Sequence, residues 1–323
     1  MTKSEQDEIL EIAVKRLRHL HEDLDDEDLR QRLLAFIITA ALCNPDVDVR
    51  NKFFDTNVDM LVNAFMADDY FDDEEGIPLD LDTKWLFKRQ HLLQQGIRGD
   101  SDAMEQVKRQ MPAMGPSLTL VEGSLKTVEE SIPTYRENLD LFEDAVFMAA
   151  QAMPLMHSNS KKTFSEEAMK LIRGYDAGMG MVIAFGSVLR DIRLPKHIRE
   201  SLLFKILWDG VWIFSALIND VLGLNKDVKN SATMHTVILR KVVREGIPLK
   251  QSFDEEVKRL KNVCQDIQLA AEKLLETFPE ETSVKEFIRY CFEFCDGQTY
   301  AYILLSQLKL RYGSTVMEVI PAD

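Results

Sequence analysis

Two acidic segments of the chain combine residue types and spacings that suit a hard metal ion. In the first, Asp68 and Asp72 are four residues apart in a helix-forming stretch, so their side chains share one face. Asp69 and Asp73 stand beside them, and four carboxylates this close repel one another unless a cation lies among them. The mostly apolar residues 61–67 place this cluster at the end of a buried helix, a natural position for a cavity mouth. The alternative is a solvated acidic helix end.

The second segment, residues 208–227, is an apolar stretch that ends in polar residues. Asn219, Gly223 and Asp227 are spaced by four residues, so they share one helix face over two turns. Oxygen donors on this face, with Lys226 adjacent, suit Mg²⁺ bound together with phosphate, because Mg²⁺ prefers carboxylate, carbonyl, water and phosphate oxygens. The polar cap of an ordinary helix end would contain the same residue types.

Helices must position both segments, because apolar residues recur at helical spacing along most of the chain. The segments with this periodicity are 8–20, 27–43, 49–71, 83–111, 117–157, 164–190, 196–227, 230–245, 252–277 and 283–310. Three glycines within residues 174–180 predict a break in the sixth segment, and Pro154 predicts the end of the fifth. No alternation suggests a sheet. We therefore expect an all-α protein, a single domain over residues 1–323, with residues 1–30 as a peripheral N-terminal segment.

Composition and net charge limit which cellular compartments and which classes of partner suit this chain. The formal net charge of −15 argues against nucleic acid or an anionic membrane surface, because either would be repelled at long range. Four cysteines in 323 residues, without zinc spacing, favour a reduced cytoplasmic protein. The acidic N-terminus does not resemble a signal peptide. No uncharged apolar run reaches the length of a membrane span, about 18 residues.

Two further elements accompany the metal-binding segments at characteristic distances. Arg173 lies 46 residues before Asn219, and the pair Arg311-Tyr312 begins 84 residues after Asp227. With Asp-Asp-Tyr-Phe-Asp-Asp at 68–73, and a second motif that starts 151 positions after Asp68, the set resembles the class I terpene synthases (terpene cyclases). The second motif matches the family pattern Asn-Asp-x-x-Ser-x-x-Lys-Glu at its Asn, its first Asp and its Lys. The resemblance covers most of the chain.

The resemblance implies a class I terpenoid synthase helical bundle with a central apolar cavity. Enzymes of this family hold an isoprenyl diphosphate with three Mg²⁺, and Mn²⁺ is a potential substitute. By matching positions, the metal ligands would be Asp68, Asp72, Asn219 and Asp227; the diphosphate would be held by Arg173, Lys226, Arg311 and Tyr312; and Asp69, Asp73 and Asp220 would orient the ligands. Asp176 and Ala177 match the linker and the effector that connect the family's sensor Arg to the allylic cation.

A carbocation also needs an apolar pocket with aromatic faces that stabilise positive charge. Candidates by position are Phe65 before the Asp-rich motif, Trp212 before Asn219, and Tyr300 and Tyr302 on the final helix. Aromatic residues at helical spacing also occur throughout protein cores, so each of the four is equally compatible with ordinary packing.

Two residues depart from the family pattern. Gly223 stands where the family usually has Ser or Thr, so one ligand is missing and a water would have to replace it. Asp227 stands where Glu is usual, and its side chain is one methylene shorter. Side chains on a helix lean toward its N-terminus, so this shortening strains the reach of Asp227 toward the metal held by Asn219.

The resemblance therefore leads to one favoured hypothesis and two alternatives. The favoured hypothesis is a Mg²⁺-dependent terpene synthase, a monomer or homodimer, that converts farnesyl or geranylgeranyl diphosphate to a terpene hydrocarbon or alcohol. A prenyl-chain elongating enzyme is less compatible, since that class has a second Asp-Asp-x-x-Asp motif at the place of residues 219–227. A non-catalytic or weakly active binding protein with the same fold is suggested by the altered second motif.

Overall fold

The helical periodicity of the sequence corresponds to fourteen α-helices among the residues that the structure describes. The structure is a computed structural model and describes residues 3–20, 25–49, 51–72, 83–112, 115–157, 164–229, 236–308 and 310. The helices are α1 Lys3–Leu17, α2 Asp26–Cys43, α3 Lys52–Asp72, α4 Thr83–Ile97, α5 Ser101–Gln110, α6 Gly115–Glu129, α7 Asp140–His157, α8 Glu166–Asp176, α9 Met179–Leu189, α10 Lys196–Arg199, α11 Leu202–Lys229, α12 Val237–Glu245, α13 Leu249–Thr277 and α14 Thr282–Gln307. These ranges contain no β-strand, so the predicted all-α class is confirmed.

The positions of the breaks follow local sequence. The segment 117–157 is a helical pair, α6 and α7, connected through a short 3₁₀-helix at Tyr135–Asn138. The helix α7 continues to His157, three residues beyond Pro154, so the predicted end at Pro154 was slightly early. The predicted break near residues 174–180 is confirmed, because α8 ends at Asp176 and α9 begins at Met179.

Helix α9 lies at the centre of the main apolar core. All eleven of its residues, Met179–Leu189, are buried. Helices α3, α7, α11 and α14 each pack against it, and α11 makes its most extensive contacts with α13. A helix that is apolar on every side must be enclosed by other helices. Of the helices that carry the candidate site residues, α3, α11 and α14 are therefore arranged around α9, and α8 packs against α7 and α11.

The N-terminal segment is packed against the rest of the domain. Ile9, Ala13 and Leu17 form one face of α1 and belong to the main core. Arg16, on the same helix, pairs with the largely buried Asp59 of α3. Asp25 caps α2, since its side chain accepts hydrogen bonds from the backbone N–H groups of Glu27 and Asp28, both at 2.9 Å. This acidic residue thus has a helix-capping role.

A buried lysine on α12 joins that helix to α8 and α13. The Nζ atom of Lys241 lies 2.9 Å from Glu166 Oε1 of α8 and 2.9 Å from Glu255 Oε2 of α13. It also lies 3.2 Å from Glu256 Oε1, whose side chain is only 1% exposed and also meets Arg259 at 3.2 Å. Buried charges of this kind persist in folded proteins only when they are paired. The cluster fixes α12 against α8 and α13.

Helix α11 has a composition that would also allow it to cross a membrane. Within the described ranges it is the one helix that is long and apolar enough by length and composition. Half of its apolar window is buried inside the fold, and the core helices of globular proteins commonly meet the same criterion. The absence of a membrane span therefore stays a prediction.

Candidate active site

The site is built around the break between α8 and α9. Ala177 caps α8, and its N–H donates to the carbonyl of Arg173. Gly178 follows in the left-handed region with φ of 68°, a conformation that costs glycine little because it has no Cβ. The chain leaves α8 here and re-enters a helix one residue later, which places the last turn of α8 beside the middle of α11.

Arg173, in that last turn, is buried and held between two carboxylates. Its Nη1 donates to Asp176 Oδ2 at 2.6 Å, and its Nε and Nη2 donate to Asp220 Oδ1 at 3.0 and 2.8 Å. Arg173 is 6% exposed, and both aspartates are 1% exposed. Charge-assisted bonds from a planar guanidinium fix its orientation more strictly than a lysine ammonium would allow. The structure thus joins Arg173 to α11 at the residue that follows Asn219.

Asp220 has a second partner on its other oxygen. Its Oδ2 accepts from the backbone N–H of Val237, the first residue of α12, at 3.3 Å. Burial raises the pKa of the Asp220 carboxyl above its usual value, whereas Arg173 and the Val237 N–H act in the opposite direction. Asp220 was expected to orient metal ligands, which stays a prediction. Its hydrogen bonds connect α11 to Arg173 on α8 and to the start of α12.

Aromatic packing fixes the end of α8 against α11. The Tyr175 hydroxyl donates to Asp209 Oδ1 at 2.9 Å, and its ring meets the Trp212 ring edge-on, with centroids 5.1 Å apart. Trp212 is 1% exposed and lies against Gly180 of α9, where a Cβ would come within 1.7 Å of the indole Cε2. Only glycine leaves room for the indole at this crossing. These contacts hold the break and the second motif in one fixed arrangement.

The second motif lies on the C-terminal half of α11, which is a continuous helix to Lys229. Gly223 and Asp227 are buried, the latter 8% exposed, whereas Asn219 and Lys226 are partly exposed. The Tyr302 hydroxyl of α14 donates to Asn219 Oδ1 at 2.9 Å. An amide oxygen and a carboxylate are both ligands of the hard type that Mg²⁺ accepts. Asn219 and Asp227 on this face of α11 therefore fit a magnesium ion.

Helix α14 runs parallel to α11 beside this motif. Gln298 Nε2 donates to the carbonyl of Ser215 at 3.4 Å, and one turn later Tyr302 bonds to Asn219. Gln298 is fully buried, yet sequence reasoning had given it no place at the site. The signal that could have identified it is its spacing, four residues before Tyr302, which places an amide on the same helix face.

The four aromatic candidates have different positions. Trp212 and Tyr302 are buried, and Trp212 packs within the main core. Tyr300 is 67% exposed, which contradicts the expectation that it lines an enclosed apolar pocket. Two residues along a helix turn the side chain by about 200°, so Tyr300 and Tyr302 face opposite sides. Phe65 lies in α3, at a position whose side chain is outside the described part of the structure.

The first metal motif follows from α3, but most of its geometry is outside the described residues. The backbone of α3 extends to Asp72, so Asp68 and Asp72 lie one turn apart on one helix. The side chains of Asp68, Asp69 and Asp72 lie outside the described part of the structure. Asp73, Arg311 and Tyr312 lie outside it entirely. Within the described ranges, no three His, Cys, Asp or Glu side chains form a group that could hold a metal.

Comparison with known proteins gives a consistent family and fold. Residues 59–266 match the model of terpene synthase family 2, C-terminal metal binding. Terpene synthase 6 of Dictyostelium purpureum is 23% identical over 176 residues, which is 54% of this chain and 56% of that protein. The chain thus spans about half the length of this curated relative.

Solved structures share the overall fold at low identity. 2-Methylisoborneol synthase from Streptomyces coelicolor A3(2), in complex with Mg²⁺ and 2-fluoroneryl diphosphate, has a TM-score of 0.73 at 14% identity, with 98% of this chain and 95% of that chain covered. Linalool/nerolidol synthase from Streptomyces clavuligerus, in complex with 2-fluorogeranyl diphosphate, has a TM-score of 0.66 at 14% identity, with 93% and 97% covered. Wild-type cucumene synthase has a TM-score of 0.68 at 12% identity, with 93% and 94% covered.

Proposed function

This chain belongs to terpene synthase family 2, and we propose on that premise that it is a Mg²⁺-dependent terpene synthase. It would ionise a linear isoprenyl diphosphate, cyclise the carbocation to a terpene hydrocarbon or alcohol, and release diphosphate. The observation that carries the proposal is the hydrogen-bonded pair formed by Arg173 and Asp220, 47 residues apart, because it joins a buried guanidinium to the second metal motif.

The charges at this site suit the ionisation of a carbon–oxygen bond. Bound Mg²⁺ supplies positive charge that stabilises the departing diphosphate. Arg173 is pre-oriented by Asp176 and Asp220, so it presents a fixed cation beside the motif without reorganisation during the reaction. Lys226, on the turn of α11 beyond Gly223, would add a second cationic contact. Arg311 and Tyr312 would complete the contacts to the diphosphate.

The metal ligands in this proposal come from two helices. Asp68 and Asp72 on α3 would form one set, and Asn219 and Asp227 on α11 the other. Asp69 and Asp73 would hold the first set in orientation, and Asp220 would act through Arg173. The donor set on α11 consists of hard oxygen atoms, as magnesium requires. The number of ions, three, and the use of Mn²⁺ remain part of the proposal.

The apolar part of the substrate would lie among residues that exclude water. Trp212 and Tyr302 are the described aromatic residues beside the second motif, and Phe65 is the third candidate. The backbone carbonyl of Ala177, at the break after Arg173, would face the allylic cation. Substrate chains of ten carbons occur in complexes of structurally similar synthases, but we propose farnesyl diphosphate, with geranylgeranyl diphosphate as the alternative.

A direct assay tests the proposal. Purified protein is incubated with Mg²⁺ or Mn²⁺ at about 5 mM, a concentration that suffices for sites of millimolar affinity. Geranyl, farnesyl or geranylgeranyl diphosphate is added, and the products are analysed by gas chromatography and mass spectrometry. Asp68→Ala should abolish product formation. Asp55→Ala, on the same helix with a 45% exposed side chain, is the matched control and should retain activity. A folded protein that forms no product from any of the three substrates would refute the synthase proposal.

Gly223 and Asp227 motivate a second candidate function, a binding protein that does not turn over its ligand. It predicts that diphosphate with Mg²⁺ raises the melting temperature little or not at all. A synthase that binds diphosphate at a hundred times the dissociation constant gains about 2.7 kcal/mol of stability. The melting temperature with Mg²⁺ and inorganic diphosphate, compared with either alone, therefore separates the two. In a separate incubation that also contains isopentenyl diphosphate, condensation to a longer prenyl diphosphate with release of diphosphate would instead indicate an elongating enzyme.

A further inference from the structure

We propose that Tyr302 supplies the hydroxyl oxygen that the second metal motif lacks at Gly223. The inference rests on the proposed function, because it assumes that Asn219 binds a metal. It deepens that proposal by adding a ligand from α14, a helix on which the sequence had placed only two aromatic pocket candidates, Tyr300 and Tyr302.

The contacts between α11 and α14 place the Tyr302 hydroxyl on the metal-binding face. Gln298 meets Ser215, and four residues later on both helices Tyr302 meets Asn219. Ser215 and Asn219 lie on the same face of α11 as Gly223, since each step of four residues turns the helix by only about 40°. Two consecutive polar contacts fix the register, so the position of the phenol does not depend on one bond.

The distance between the two oxygen atoms fits adjacent ligands of one ion. Mg²⁺ binds oxygen in octahedral geometry at about 2.0–2.1 Å, so two neighbouring ligand oxygens are about 2.9–3.0 Å apart. The Tyr302 hydroxyl oxygen and Asn219 Oδ1 are 2.9 Å apart. Each atom has lone pairs to offer, and the phenol can turn its proton away from the amide when the ion binds.

Gly223 explains why a ligand from another helix is useful here. It is buried on the metal-binding face and has no side chain, so α11 itself contributes no hydroxyl at this position. Tyr302 is 7% exposed and stands one helical turn before the level of Gly223. A hydroxyl from α14 would restore the missing oxygen donor and would also connect metal binding to the packing of α14 on α11.

The test compares Tyr302→Phe with Tyr300→Phe. Both variants remove one phenol oxygen from α14, but Tyr300 is 67% exposed and serves as the matched control. Mg²⁺ is titrated into each protein in the presence of inorganic diphosphate, and the melting temperature and the heat of binding are recorded. We expect Tyr302→Phe to raise the Mg²⁺ concentration at half-saturation by about ten- to a hundredfold, and Tyr300→Phe to leave it unchanged. Gly223→Ser should restore part of the affinity in the Tyr302→Phe protein.

The possible results separate the two proposals. If the wild-type protein shows no Mg²⁺-dependent response to diphosphate and forms no product, the proposed function fails, and the inference fails with it. If the wild type responds and Tyr302→Phe titrates like Tyr300→Phe, the inference alone is wrong. A fall in the metal-free melting temperature of Tyr302→Phe, with an unchanged Mg²⁺ titration, would assign the hydroxyl to packing and would likewise overturn it.

Discussion

Replacing Arg173 with Met tests the central electrostatic feature of the site. Methionine has a similar length and removes the guanidinium, so Asp176 and Asp220, each 1% exposed, lose the cation that lies between them. The Val237 N–H still bonds to Asp220 Oδ2, but this single neutral donor does not offset a buried negative charge. The variant therefore retains two buried carboxylates that have lost the guanidinium between them.

The expected loss is large enough to measure by thermal unfolding. Removing one partner of a buried ion pair costs about 3–5 kcal/mol. An unfolding entropy of about 2.1 cal/mol/K per residue gives roughly 0.7 kcal/mol/K for 323 residues. The melting temperature of Arg173→Met should therefore fall by about 4–7 °C at pH 8. Under the proposed function, kcat/KM should also fall by about a hundredfold or more.

The loss of stability should depend on pH in a defined direction. Burial raises the pKa of Asp220, and Arg173 opposes that rise, so removing Arg173 raises the pKa further. A carboxyl whose pKa is higher in the folded state binds its proton more readily there than in the unfolded state. Stability is then gained as pH falls through the folded-state pKa. The difference in melting temperature between wild type and Arg173→Met should be smaller at pH 5 than at pH 8.

Differential scanning calorimetry at pH 5 and pH 8 is the assay, and Arg193→Met is the matched control. The Arg193 side chain is 44% exposed, and among the described residues it pairs with the exposed carboxylates of Asp191 and Glu137 and donates to Thr134 Oγ1. Such exposed ion pairs contribute about 0–1 kcal/mol. The reasoning is refuted if Arg173→Met lowers the melting temperature no more than Arg193→Met does. It is also refuted if the loss grows as the pH is lowered.

Two further substitutions test the packing that holds the site. Gly180→Ala places a Cβ 1.7 Å from the Trp212 ring, so it should lower the free energy of unfolding by about 1–3 kcal/mol and alter the tryptophan fluorescence. The control is Gly123→Ala, at an exposed position on α6 with nothing within 4 Å of the new Cβ, and it should stabilise the fold by about 0.5–1 kcal/mol. Equal effects of the two in thermal melts would contradict the described crossing. Lys241→Met should lower the free energy of unfolding, measured with denaturant, by about 2–3 kcal/mol. The loss is smaller than for a fully unpaired buried charge because Glu256 keeps its contact with Arg259. A loss below about 0.5 kcal/mol, the scatter of surface substitutions, would exclude the buried-lysine cluster.

The helical fold was accessible from sequence because apolar periodicity and helix breakers act locally. Gly178 illustrates this, since its φ of 68° at the end of α8 follows from a glycine-rich stretch visible in the sequence. Interactions between helices were less accessible. The bond from Arg173 to Asp220 spans 47 residues and depends on how α8 crosses α11, which no local pattern encodes.

Asp220 shows what a motif leaves open about an individual residue. It follows Asn219 directly, and the resemblance implied that Asn219 binds the metal and that Asp220 orients the ligands. Neighbouring residues on a helix point about 100° apart, and they therefore meet different helices. Asn219 faces Tyr302 on α14, whereas Asp220 faces Arg173 on α8 and Val237 on α12. Helix geometry alone would have assigned the two residues to different neighbours.

Tyr300 and Tyr302 could not be separated by sequence because α14 is apolar on more than one side. Buried Phe294 and exposed Phe292 and Ile303 lie on this helix, so no single apolar stripe identifies the inner face. The register against α11 decides, and it is fixed by Tyr302 bonding to Asn219. A vacant position in a metal motif therefore has to be judged from the helix that packs beside it. For Gly223, that helix brings the Tyr302 hydroxyl to Asn219, one turn earlier on α11.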